Sequence, residues 1–479
     1  MTPSAGGNMD IKFGTDGWRG VMARDFTFEN VRRVAQAIAD YLRDEILKSP
    51  NRKDCPWAGP VVIGYDRRFQ SDTFAREIAK VLHGNKLNAL LLSQCLPTPA
   101  VSLMTHRTKG LGVVVTASHN PPSYNGIKIK YSGRAATETM TQAIEACLDR
   151  SQPTRSTDIK EKSGLEPYLQ YLRSKANIAA IRGRLKKPAV VDYLYGSATG
   201  LLEAALPGQR LISLHSEHDP LFGGLNPEPV AENLKALSQR VKAERAVIGI
   251  ALDGDGDRVG VVDENGDYLT PCQIFPMIVR YLVEHKKLKG KIVQSVSLGY
   301  VSARIAQACG LPFEEIPVGF KHVAERLAAG EAVIGGEESG GYAWKGSIPE
   351  RDGLMSALLL LEMVAVTGRS PGQLWKELEA KYGASHFRRL DFRLHKPVGD
   401  KAAFAAKLVK KLPKKILGSE IKELVQIDGL KIILAEGHWL LMRPSGTEPL
   451  MRVYGETDTA KRTGELLDLA KKWVAPNLA

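Results

Sequence analysis

The stretch LGVVVTASHNPPSYNGIKIK, residues 111–130, carries the pattern that decides the fold. Residues 111–115 are apolar or small and predict a short buried strand, and a loop with two prolines and a glycine follows. Strands that are apolar along their whole length are typical of sheets covered by helices on both faces. The loop places Ser118 beside His119 and near two lysines. The stretch therefore predicts an α/β layer whose strand ends in a reactive or binding loop.

The same alternation of apolar strand and amphipathic helix recurs along most of the chain. The first series contains PVVIGYD and LNALLLS, with the helical segment SDTFAREIAKVLHG between them. The second contains KPAVVDYLYG, RLISLHSE and RAVIGIALD, and the third contains GKIVQSVS, LPFEEIPV and EAVIGGEESG. Strands that alternate with helices predict mainly parallel sheets in three successive α/β domains.

The C-terminal part follows a different pattern. It contains the closely spaced strand candidates HFRRLDFRL, GLKIILAEGHWLLMRPSG and EPLMRVYGE, together with a lysine-rich helix and a terminal helix. Paired strands beside helices predict a smaller antiparallel α+β domain. The predicted domain boundaries are 1–153, 154–264, 265–376 and 377–479.

Composition is that of a globular protein. The 479 residues are 43% hydrophobic and 25% charged, and no apolar run is long enough to cross a bilayer. The N-terminal MTPSAGGNMD lacks the apolar core of a signal peptide, and the five cysteines are scattered without metal-ligand spacing. We therefore expect a cytoplasmic location rather than a disulfide framework.

The net charge of +13 raises the question of a nucleic-acid partner. Much of the excess lies in helix-like segments such as KLVKKLPKKILGSE, where lysines form a solvated face. No zinc-finger spacing, aromatic RNA platform or basic tail accompanies them. We expect no nucleic-acid partner, and a positive cleft that attracts an anionic small substrate is equally compatible with the charge.

Four unusual loops each follow a predicted strand of a different domain. They are TASHN, LDGDGDR, GGEESGG and RPSGTEP. In open α/β sheets, ligands bind outside the carboxyl ends of the strands. The positions of the loops therefore predict one cleft to which all four domains contribute.

The loop DGDGDR carries Asp253, Asp255 and Asp257. The glycines between them let the backbone bring the carboxylates together, and clustered anions repel one another unless a cation lies among them. Oxygen ligands favour Mg²⁺ or Ca²⁺. An EF-hand is excluded because Arg258 stands where that loop requires glycine and because both flanks predict strands. A solvated acidic turn is the remaining alternative.

The other loops give weaker signals when each is taken alone. RPSGTEP offers a guanidinium, two hydroxyls and backbone N–H groups that suit a phosphate, although Ser-Gly-Thr turns are common without one. GGEESGG places Glu337 and Ser339 between glycines, where they would accept hydrogen bonds from sugar hydroxyls or form a plain turn. FGTDGWRG supplies Arg19, which would pair with a phosphate or with a core carboxylate.

Ser118 does not fit the usual serine nucleophiles. No GxSxG sequence surrounds it, and the chain has no Walker A or kinase glycine-rich loop, so ATP-dependent transfer is not expected. A serine beside a carboxylate-bound metal, with phosphate-binding groups elsewhere, suggests that Ser118 itself carries a phosphoryl group.

In this order and across the whole chain, the four loops resemble those of the α-D-phosphohexomutase family, most closely the phosphoglucomutases. TASHNPPSYNGIKIK is similar to the phosphoserine loop of that family, DGDGDR to its metal loop, GEESGG to its sugar-recognition loop and RPSGTEP to its phosphate loop. The resemblance implies three α/β domains with mixed, mainly parallel sheets and a smaller C-terminal α+β domain around a central cleft.

The resemblance also implies site residues and cofactors. Ser118 would be phosphorylated, and its phosphoryl group would bind one Mg²⁺ per chain together with the three aspartates. Glucose 1,6-bisphosphate would be the intermediate and activator. Lys128 matches the general acid–base of the family, with a pKa lowered by neighbouring cations, or else a purely electrostatic clamp. The other matching residues are His119, Arg19 and Arg258 around the phosphoryl group, and Lys321, Glu337, Ser339, Arg443, Ser445, Gly446 and Thr447 on the substrate.

The second acidic residue of GEESGG resembles phosphoglucomutases, so we expect interconversion of α-D-glucose 1-phosphate and glucose 6-phosphate. Phosphomannomutase or phosphoglucosamine mutase activity at the same site is the near alternative, and a catalytically silent sugar-phosphate binding protein is the alternative from another class. Gly341 stands where some bifunctional relatives have a histidine, so no catalytic role is assigned to it. We expect hexose phosphates as ligands, no membrane partner, and a monomer or weak dimer.

Overall fold

The computed structural model describes residues 10–14, 16–48, 59–445 and 449–475. The chain divides into two compact units, one of residues 1–268 with 341–370 and the other of residues 269–340 with 371–479. Within the described residues, no single helix has the length and apolar composition of a membrane span, and one pair of successive helices passes that test only jointly.

The first sheet belongs to the first unit and is mixed. Its strands are β1 (Trp18–Val21), β2 (Val61–Tyr65), β3 (Ala89–Leu92), β4 (Leu111–Val115), β5 (Tyr124–Tyr131), β6 (Arg134–Ala135) and β7 (Glu161–Lys162). The strand order is β1-β5-β4-β2-β3-β7, and β6 pairs with β5. Strand β2 runs parallel to β3 and β4, whereas β5 runs antiparallel to both β4 and β1. All five residues of β4 are buried, as their apolar character predicts.

Helices cover this sheet and continue the chain. They are α1 (Phe28–Lys48), α2 (Ser71–Gly84), α3 (Thr98–Thr108), α4 (Glu138–Glu145), α5 (Leu165–Lys175) and α6 (Ile178–Arg184). The buried face of α1 and that of α2 pack with the strands into one apolar core. Helix α2 coincides with the predicted segment SDTFAREIAKVLHG.

A second sheet completes this part of the first unit. Its elements are β8 (Ala189–Asp192), α7 (Leu201–Ala205), β9 (Leu211–Leu214), α8 (Lys235–Glu244), β10 (Ile248–Leu252), β11 (Val259–Val262) and β12 (Tyr268–Leu269), with short 3₁₀ turns at Phe222–Gly224 and Ala231–Asn233. Strand β8 is parallel to β9 and β10, and β11 is antiparallel to β10. The acidic loop therefore connects two adjacent, buried, antiparallel strands, β10 and β11.

The second unit begins with a third α/β layer. Its elements are α9 (Pro271–Glu284), β13 (Lys291–Ser295), α10 (Val301–Ala308), β14 (Phe313–Ile316), α11 (Phe320–Ala328) and β15 (Ala332–Gly336). Strand β13 is parallel to both β14 and β15.

The chain then returns to the first unit with β16 (Tyr342–Trp344) and α12 (Gly353–Thr367). Helix α12 is apolar on every side and residues 353–365 are all buried, which is the expected fate of such a helix in a globular protein. It packs against α5, α6, α7, β10 and β11.

The C-terminal part of the second unit is an antiparallel sheet with helices. Its elements are α13 (Pro371–Tyr382), β17 (His386–Arg393), α14 (Lys401–Val409), β18 (Lys415–Ile416), β19 (Ser419–Val425), β20 (Leu430–Leu434), β21 (Trp439–Pro444), β22 (Leu450–Thr457) and α15 (Ala460–Val474). The strand order is β17-β22-β21-β20-β19-β18, with every neighbouring pair antiparallel. Three α/β parts and one smaller α+β part confirm the predicted fold class.

Asp352 caps the N-terminus of α12 from a buried position. Its Oδ1 accepts hydrogen bonds from the Met355 N–H at 2.9 Å and from the Tyr168 hydroxyl at 2.9 Å, while Oδ2 has no hydrogen-bond partner among the described residues. Burial raises the pKa of the Asp352 carboxyl to about 7, although these hydrogen bonds oppose the shift. The folded protein therefore favours the neutral, protonated form of the Asp352 carboxyl.

Asp352→Asn should make stability less dependent on pH. The folded-state pKa of Asp352 exceeds the unfolded value of about 3.9, so wild-type stability falls as pH rises from the unfolded towards the folded pKa. Asparagine keeps the Oδ1 acceptor and does not titrate. The stability of the variant relative to wild type should therefore rise by about 2–3 kcal/mol between pH 5 and pH 7.5, measured by urea unfolding. Asp158→Asn, at an exposed position, is the matched control, and a pH-independent difference for Asp352→Asn would contradict the interpretation.

Candidate active site

The Ser118 loop leaves the end of β4 in a constrained conformation. The Ser118 N–H donates to the Thr116 hydroxyl at 2.9 Å, and that hydroxyl donates to Asp66 Oδ2 at 2.6 Å. Ser118 is fully buried and has a φ of 52°, in the left-handed region that non-glycine residues seldom occupy. A strained serine of this kind persists only where its surroundings hold it, which is characteristic of functional sites.

Arg68 donates hydrogen bonds to the backbone of the Ser118 loop. Its guanidinium donates to the backbone carbonyls of Ser118 at 2.7 Å, Asn120 at 2.6 Å, Pro121 at 2.8 Å and Tyr124 at 3.0 Å. It also forms a buried ion pair with Asp66 at 3.2 Å. Neither residue was predicted from the sequence, where their signal is the segment YDRR at the end of a buried strand.

The acidic loop after β10 brings Asp253, Asp255 and Asp257 together. All three side chains are buried, and one ligand atom from each lies within 4.8 Å of the others. Asp253 Oδ1 accepts the backbone N–H groups of Asp257 at 2.9 Å and Arg258 at 3.0 Å. The Ser118 hydroxyl donates to Asp253 Oδ2 at 3.1 Å. Burial, together with the charges of Asp257 and Asp255, raises the pKa of Asp253 well above its usual range.

The other two carboxylates each have one engaged and one open oxygen. Asp255 Oδ2 accepts from the Thr98 hydroxyl at 2.5 Å and from Lys128 Nζ at 2.9 Å. Asp257 Oδ2 accepts from Arg351 at 2.8 Å and from Lys128 at 3.2 Å. Neither Asp255 Oδ1 nor Asp257 Oδ1 accepts a hydrogen bond from any described residue.

These open oxygens test whether the loop fits a metal ion. Asp255 Oδ1 and Asp257 Oδ1 are buried without a hydrogen-bond donor, and the nearest cation to Asp257 Oδ1 is Arg258 Nε at 3.7 Å. Unsatisfied buried carboxylate oxygens cost free energy, which a bound divalent cation would offset. The three carboxyl groups each offer a hard oxygen ligand, within 4.8 Å of one another, and the Ser118 hydroxyl contacts one of them, Asp253 Oδ2. The residues therefore fit Mg²⁺, and a solvated acidic turn is excluded because all three side chains are buried.

Lys128 has carboxylate neighbours rather than the cationic cluster that the sequence analysis expected. Its Nζ lies 2.8 Å from Asp16 Oδ2, in addition to its contacts with Asp255 and Asp257. Burial lowers the pKa of Lys128, but the three carboxylates outweigh burial and raise it well above its usual range. The predicted lowering of this pKa is therefore wrong for the arrangement described, in which Lys128 carries its charge.

The other residues predicted to bind the phosphoryl group lie in or beside the Ser118 loop and the acidic loop. The ring Nδ1 of His119 lies 3.4 Å from the Ser118 hydroxyl oxygen. Arg258, burial and Arg19 together hold the pKa of His119 far below its usual range, so the ring is neutral. Arg19 donates to the Asn120 side chain at 2.5 Å, within the same loop. The first unit thus brings together Ser118, His119, Lys128, Arg19, Arg258 and the three aspartates.

Most of the remaining predicted residues belong to the second unit. Glu337 Oε1 accepts the Gly319 N–H at 2.7 Å, and the Ser339 hydroxyl lies 3.5 Å from Glu337 Oε2. Lys321 is the second residue of α11, which begins directly after Gly319. The GGEESGG loop and the start of α11 are therefore neighbours within this unit.

The phosphate-loop arginine is also held within the second unit. Arg443 Nε donates to Asp428 Oδ2 at 2.6 Å, and the Val318 N–H donates to the same oxygen at 3.2 Å. The Ser445 N–H donates to the carbonyl of Leu450 at 2.8 Å. Gly446 and Thr447 lie outside the described residues. Asp428, which the sequence analysis missed, connects Arg443 to the segment before Lys321.

Mg²⁺ should stabilise the protein through the acidic loop. At a hundredfold excess over its dissociation constant, a ligand specific for the folded state adds about 2.7 kcal/mol. We expect Mg²⁺ to raise the melting temperature of wild type, EDTA to reverse the rise, and Asp255→Asn to abolish most of it. Asp263→Asn, at a buried turn aspartate outside the loop, should keep the rise. A full rise in Asp255→Asn would show that the ion binds elsewhere.

Comparisons with known proteins identify the family to which this geometry belongs. Models of the phosphoglucomutase/phosphomannomutase domains match throughout, with alpha/beta/alpha domain I at residues 10–155, domain II at 166–266, domain III at 270–382 and the C-terminal domain at 373–471. The similar proteins include a phosphoglucomutase/phosphomannomutase of Thermococcus kodakarensis, 30% identical over 96% of this chain and 97% of its own. They also include a "Probable phosphoglucosamine mutase" of Pyrococcus abyssi, 31% identical over 96% of this chain and 97% of its own.

Solved structures agree with these relatives. A crystal structure from Thermus thermophilus, described as a "putative phosphomannomutase", is 32% identical, covers 98% of this chain and 99% of its own, and superposes with a TM-score of 0.85. Both the fold and the motifs are thus those of one group of enzymes. The chain belongs to the phosphoglucomutase/phosphomannomutase family of the α-D-phosphohexomutase superfamily, isomerases that move a phosphate within a sugar phosphate.

Proposed function

We propose that the chain is a phosphoglucomutase, which interconverts α-D-glucose 1-phosphate and glucose 6-phosphate through a phosphorylated Ser118. The observation that carries the phosphoserine mechanism is the 3.1 Å contact between the Ser118 hydroxyl and Asp253, beside two carboxylates that each keep an open oxygen. A serine in this position can transfer a phosphoryl group only where nearby cations balance the charge of that group. Arg19, Arg258 and Lys128 are the cations of this chain that would do so.

The phosphoryl group would pass from Ser118 Oγ to the free hydroxyl of a hexose monophosphate. The Oγ–P bond breaks, a P–O bond to the sugar oxygen forms, and the proton of the sugar hydroxyl passes in net terms to Ser118 Oγ. The product is a hexose 1,6-bisphosphate. After the bisphosphate turns over, its other phosphoryl group returns to Ser118 and the isomer is released. Glucose 1,6-bisphosphate would accordingly act as intermediate and activator.

Each site residue of the first unit has a proposed part in this transfer. The bent loop and Arg68 hold Ser118 Oγ in a fixed place, so that little entropy is lost when the substrate binds. Arg19, Arg258 and His119 would bind phosphoryl oxygens. Mg²⁺, held by the three aspartates, would supply additional positive charge to the phosphoryl group. The family resemblance offers Lys128 for exchange of the hydroxyl proton, but its three carboxylate neighbours favour a charge-holding role in the arrangement described.

In the second unit we propose substrate-binding roles. Glu337 and Ser339 would accept hydrogen bonds from sugar hydroxyls that stay equivalent when the hexose reverses. Lys321, Arg443, Ser445, Gly446 and Thr447 would bind the phosphate that does not react. Arg443 suits this part because Asp428 already fixes its Nε, which leaves the terminal nitrogens as donors for a phosphate.

The choice of glucose rests on Glu338, the second acidic residue of the GEESGG loop. Its carboxylate forms an ion pair with Arg389 at 3.1 Å, so a charged partner holds it in place. The names of the relatives favour glucosamine or mannose phosphates, and one relative from Thermococcus kodakarensis, 28% identical, is named a phosphopentomutase. Phosphoglucosamine or phosphomannose mutation at the same site is therefore the second candidate.

Cysteine chemistry supports a proposal about location. Cys95, Cys147, Cys272 and Cys309 are free thiols in the described part of the chain. Free cysteines are typical of reducing compartments, so we propose a cytoplasmic enzyme. A monomer or weak dimer stays a prediction.

A coupled assay with glucose, mannose and glucosamine 1-phosphates tests this function. Each assay would include a trace of the corresponding bisphosphate. We expect the highest kcat/KM for glucose 1-phosphate. Intact-mass measurement of the wild-type protein should show a fraction heavier by one phosphate, and phosphopeptide mapping should place that phosphate on Ser118. A preference for glucosamine or mannose would replace the glucose assignment and keep the mechanism.

Ser118→Ala separates the mechanism from the substrate. It should fold as wild type and lose turnover with every sugar, because Ser118 Oγ is the oxygen proposed to carry the phosphoryl group. Ser156→Ala, which removes an exposed hydroxyl of a connecting segment, should keep full activity. Normal turnover in Ser118→Ala would refute the phosphoserine. Hexose phosphate binding without turnover in wild type would instead support the silent binding protein.

Arg68→Met should reduce activity through the loop that it holds. The change leaves the carbonyls of residues 118, 120, 121 and 124 without this donor and leaves Asp66 as a buried charge, at a cost of about 3–5 kcal/mol. We expect kcat to fall about 10²-fold with a smaller change in KM, and Arg68→Lys to recover part of the loss. Arg76→Met, which removes an exposed ion pair with Glu161, is the control. Unchanged kcat in a folded Arg68→Met protein would exclude this positioning role.

A further inference from the structure

Gly341, the last residue of the GGEESGG loop, lies directly against the side chain of Arg351. A methyl group at position 341 would lie 2.2 Å from Cδ and 2.7 Å from Cγ of Arg351. The Arg351 side chain is only 7% exposed and therefore packs directly over the glycine. Gly341 does not have a positive φ, so the glycine serves the close approach of Arg351 rather than a backbone conformation.

The Arg351 guanidinium reaches the acidic loop. One of its terminal nitrogens lies 2.8 Å from Asp257 Oδ2 and 3.0 Å from Asp16 Oδ2. Lys128 Nζ lies 3.2 Å and 2.8 Å from the same two oxygens. Two cations and two carboxylate oxygens thus alternate around a closed ring of charges.

Arg351 is fixed at its backbone as well as at its tip. The preceding Glu350 accepts Lys130 Nζ at 2.7 Å and the Ser102 hydroxyl at 3.0 Å, and all three side chains are buried. The following Asp352 caps α12. Because residues on both sides are anchored, the Arg351 side chain has little freedom to move away from an added group at position 341.

The geometry points to Arg351 as a positioning residue for the metal ligand Asp257. Arg351 occupies Asp257 Oδ2 and so leaves Oδ1 as the oxygen that is open to a divalent cation. Lys128 alone would fix the orientation of the Asp257 carboxylate less well, because its single ammonium group is shared among Asp16, Asp255 and Asp257. Gly341 is then required because any side chain there competes with Arg351. This inference rests on the metal site of the proposed function. It adds Arg351, which none of the four loop motifs contains, and gives a role to Gly341, the last residue of the GGEESGG loop.

Magnesium affinity, measured by isothermal titration calorimetry on the full chain, tests the inference without reference to turnover. Arg351→Met removes the guanidinium and keeps much of the side-chain volume, and we expect the Mg²⁺ dissociation constant to rise about 10–100-fold. Arg351→Lys should lie between Arg351→Met and wild type. Gly341→Ala keeps the arginine but pushes it aside, so it should weaken Mg²⁺ binding in the same direction.

Matched controls isolate the cause. Gly183→Ala adds a methyl group where nothing lies within 4 Å, and Arg240→Met removes an exposed ion pair with Glu244. Both should bind Mg²⁺ as wild type does. The double variant Gly341→Ala/Arg351→Met should bind no more weakly than Arg351→Met, because both changes act on the same guanidinium.

The outcomes separate this inference from the proposed function. Wild-type Mg²⁺ affinity in Arg351→Met would overturn the positioning role even if the enzyme is a phosphoglucomutase, and additive losses in the double variant would overturn the link to Gly341. If Arg351→Met does not fold, Arg351→Lys and Gly341→Ala decide the question, and wild-type affinity in both would refute the inference. If the variants lose Mg²⁺ affinity but the wild-type protein shows no mutase turnover, the positioning role of Arg351 would be supported and the proposed function would be refuted.

Discussion

Three aspartates buried within 4.8 Å of one another constrain everything around them, because like charges at this separation in a poorly solvated place repel strongly. The protein offsets part of this repulsion with its own donors: backbone N–H groups on Asp253, a hydroxyl and an ammonium on Asp255, and a guanidinium and an ammonium on Asp257. These donors do not reach every oxygen of the three carboxylates. Two oxygens stay open, and the Ser118 hydroxyl lies at the edge of the same cluster.

The donors come from distant parts of the first unit. Thr98 begins α3, Lys128 lies in β5, and Arg351 precedes α12. Lys130 lies on the same face of β5 as Lys128, since alternate residues of a strand share a face, and it binds Glu350 beside Arg351. Two layers of buried charge thus connect the first sheet, the acidic loop and the segment before α12. Arg68 adds hydrogen bonds to the backbone of the Ser118 loop.

Local patterns predicted a large part of this molecule, and non-local pairing explains the rest. Helix α2 coincides with its predicted segment because its apolar spacing and its bounds are properties of consecutive residues. The three aspartates were recognisable because they lie within five residues of one another. The surroundings of Lys128 were predicted wrongly, since its nearest charges come from Asp16, Asp255 and Asp257, more than a hundred residues away along the chain. Arg68 and Arg351 escaped notice for the same reason. Neither is part of a motif, and each is recognisable only by the carbonyls or carboxylates that folding brings to it.

The buried lysines of β5 have a consequence for how the chain reaches its native state. Lys128 and Lys130 are almost completely inaccessible to water, and their anionic partners lie as far away as Asp255 and Glu350. A nascent chain that has formed only the first sheet would have to bury two ammonium groups without most of those partners, at a cost of several kcal/mol per charge. Asp16 is the partner of both lysines that precedes β5, so we expect full stabilisation of this strand only when residues up to about 350 have been synthesised and docked. Contacts of such long sequence separation slow folding, so the reactive loop is completed late, after the sheets that carry it have begun to assemble.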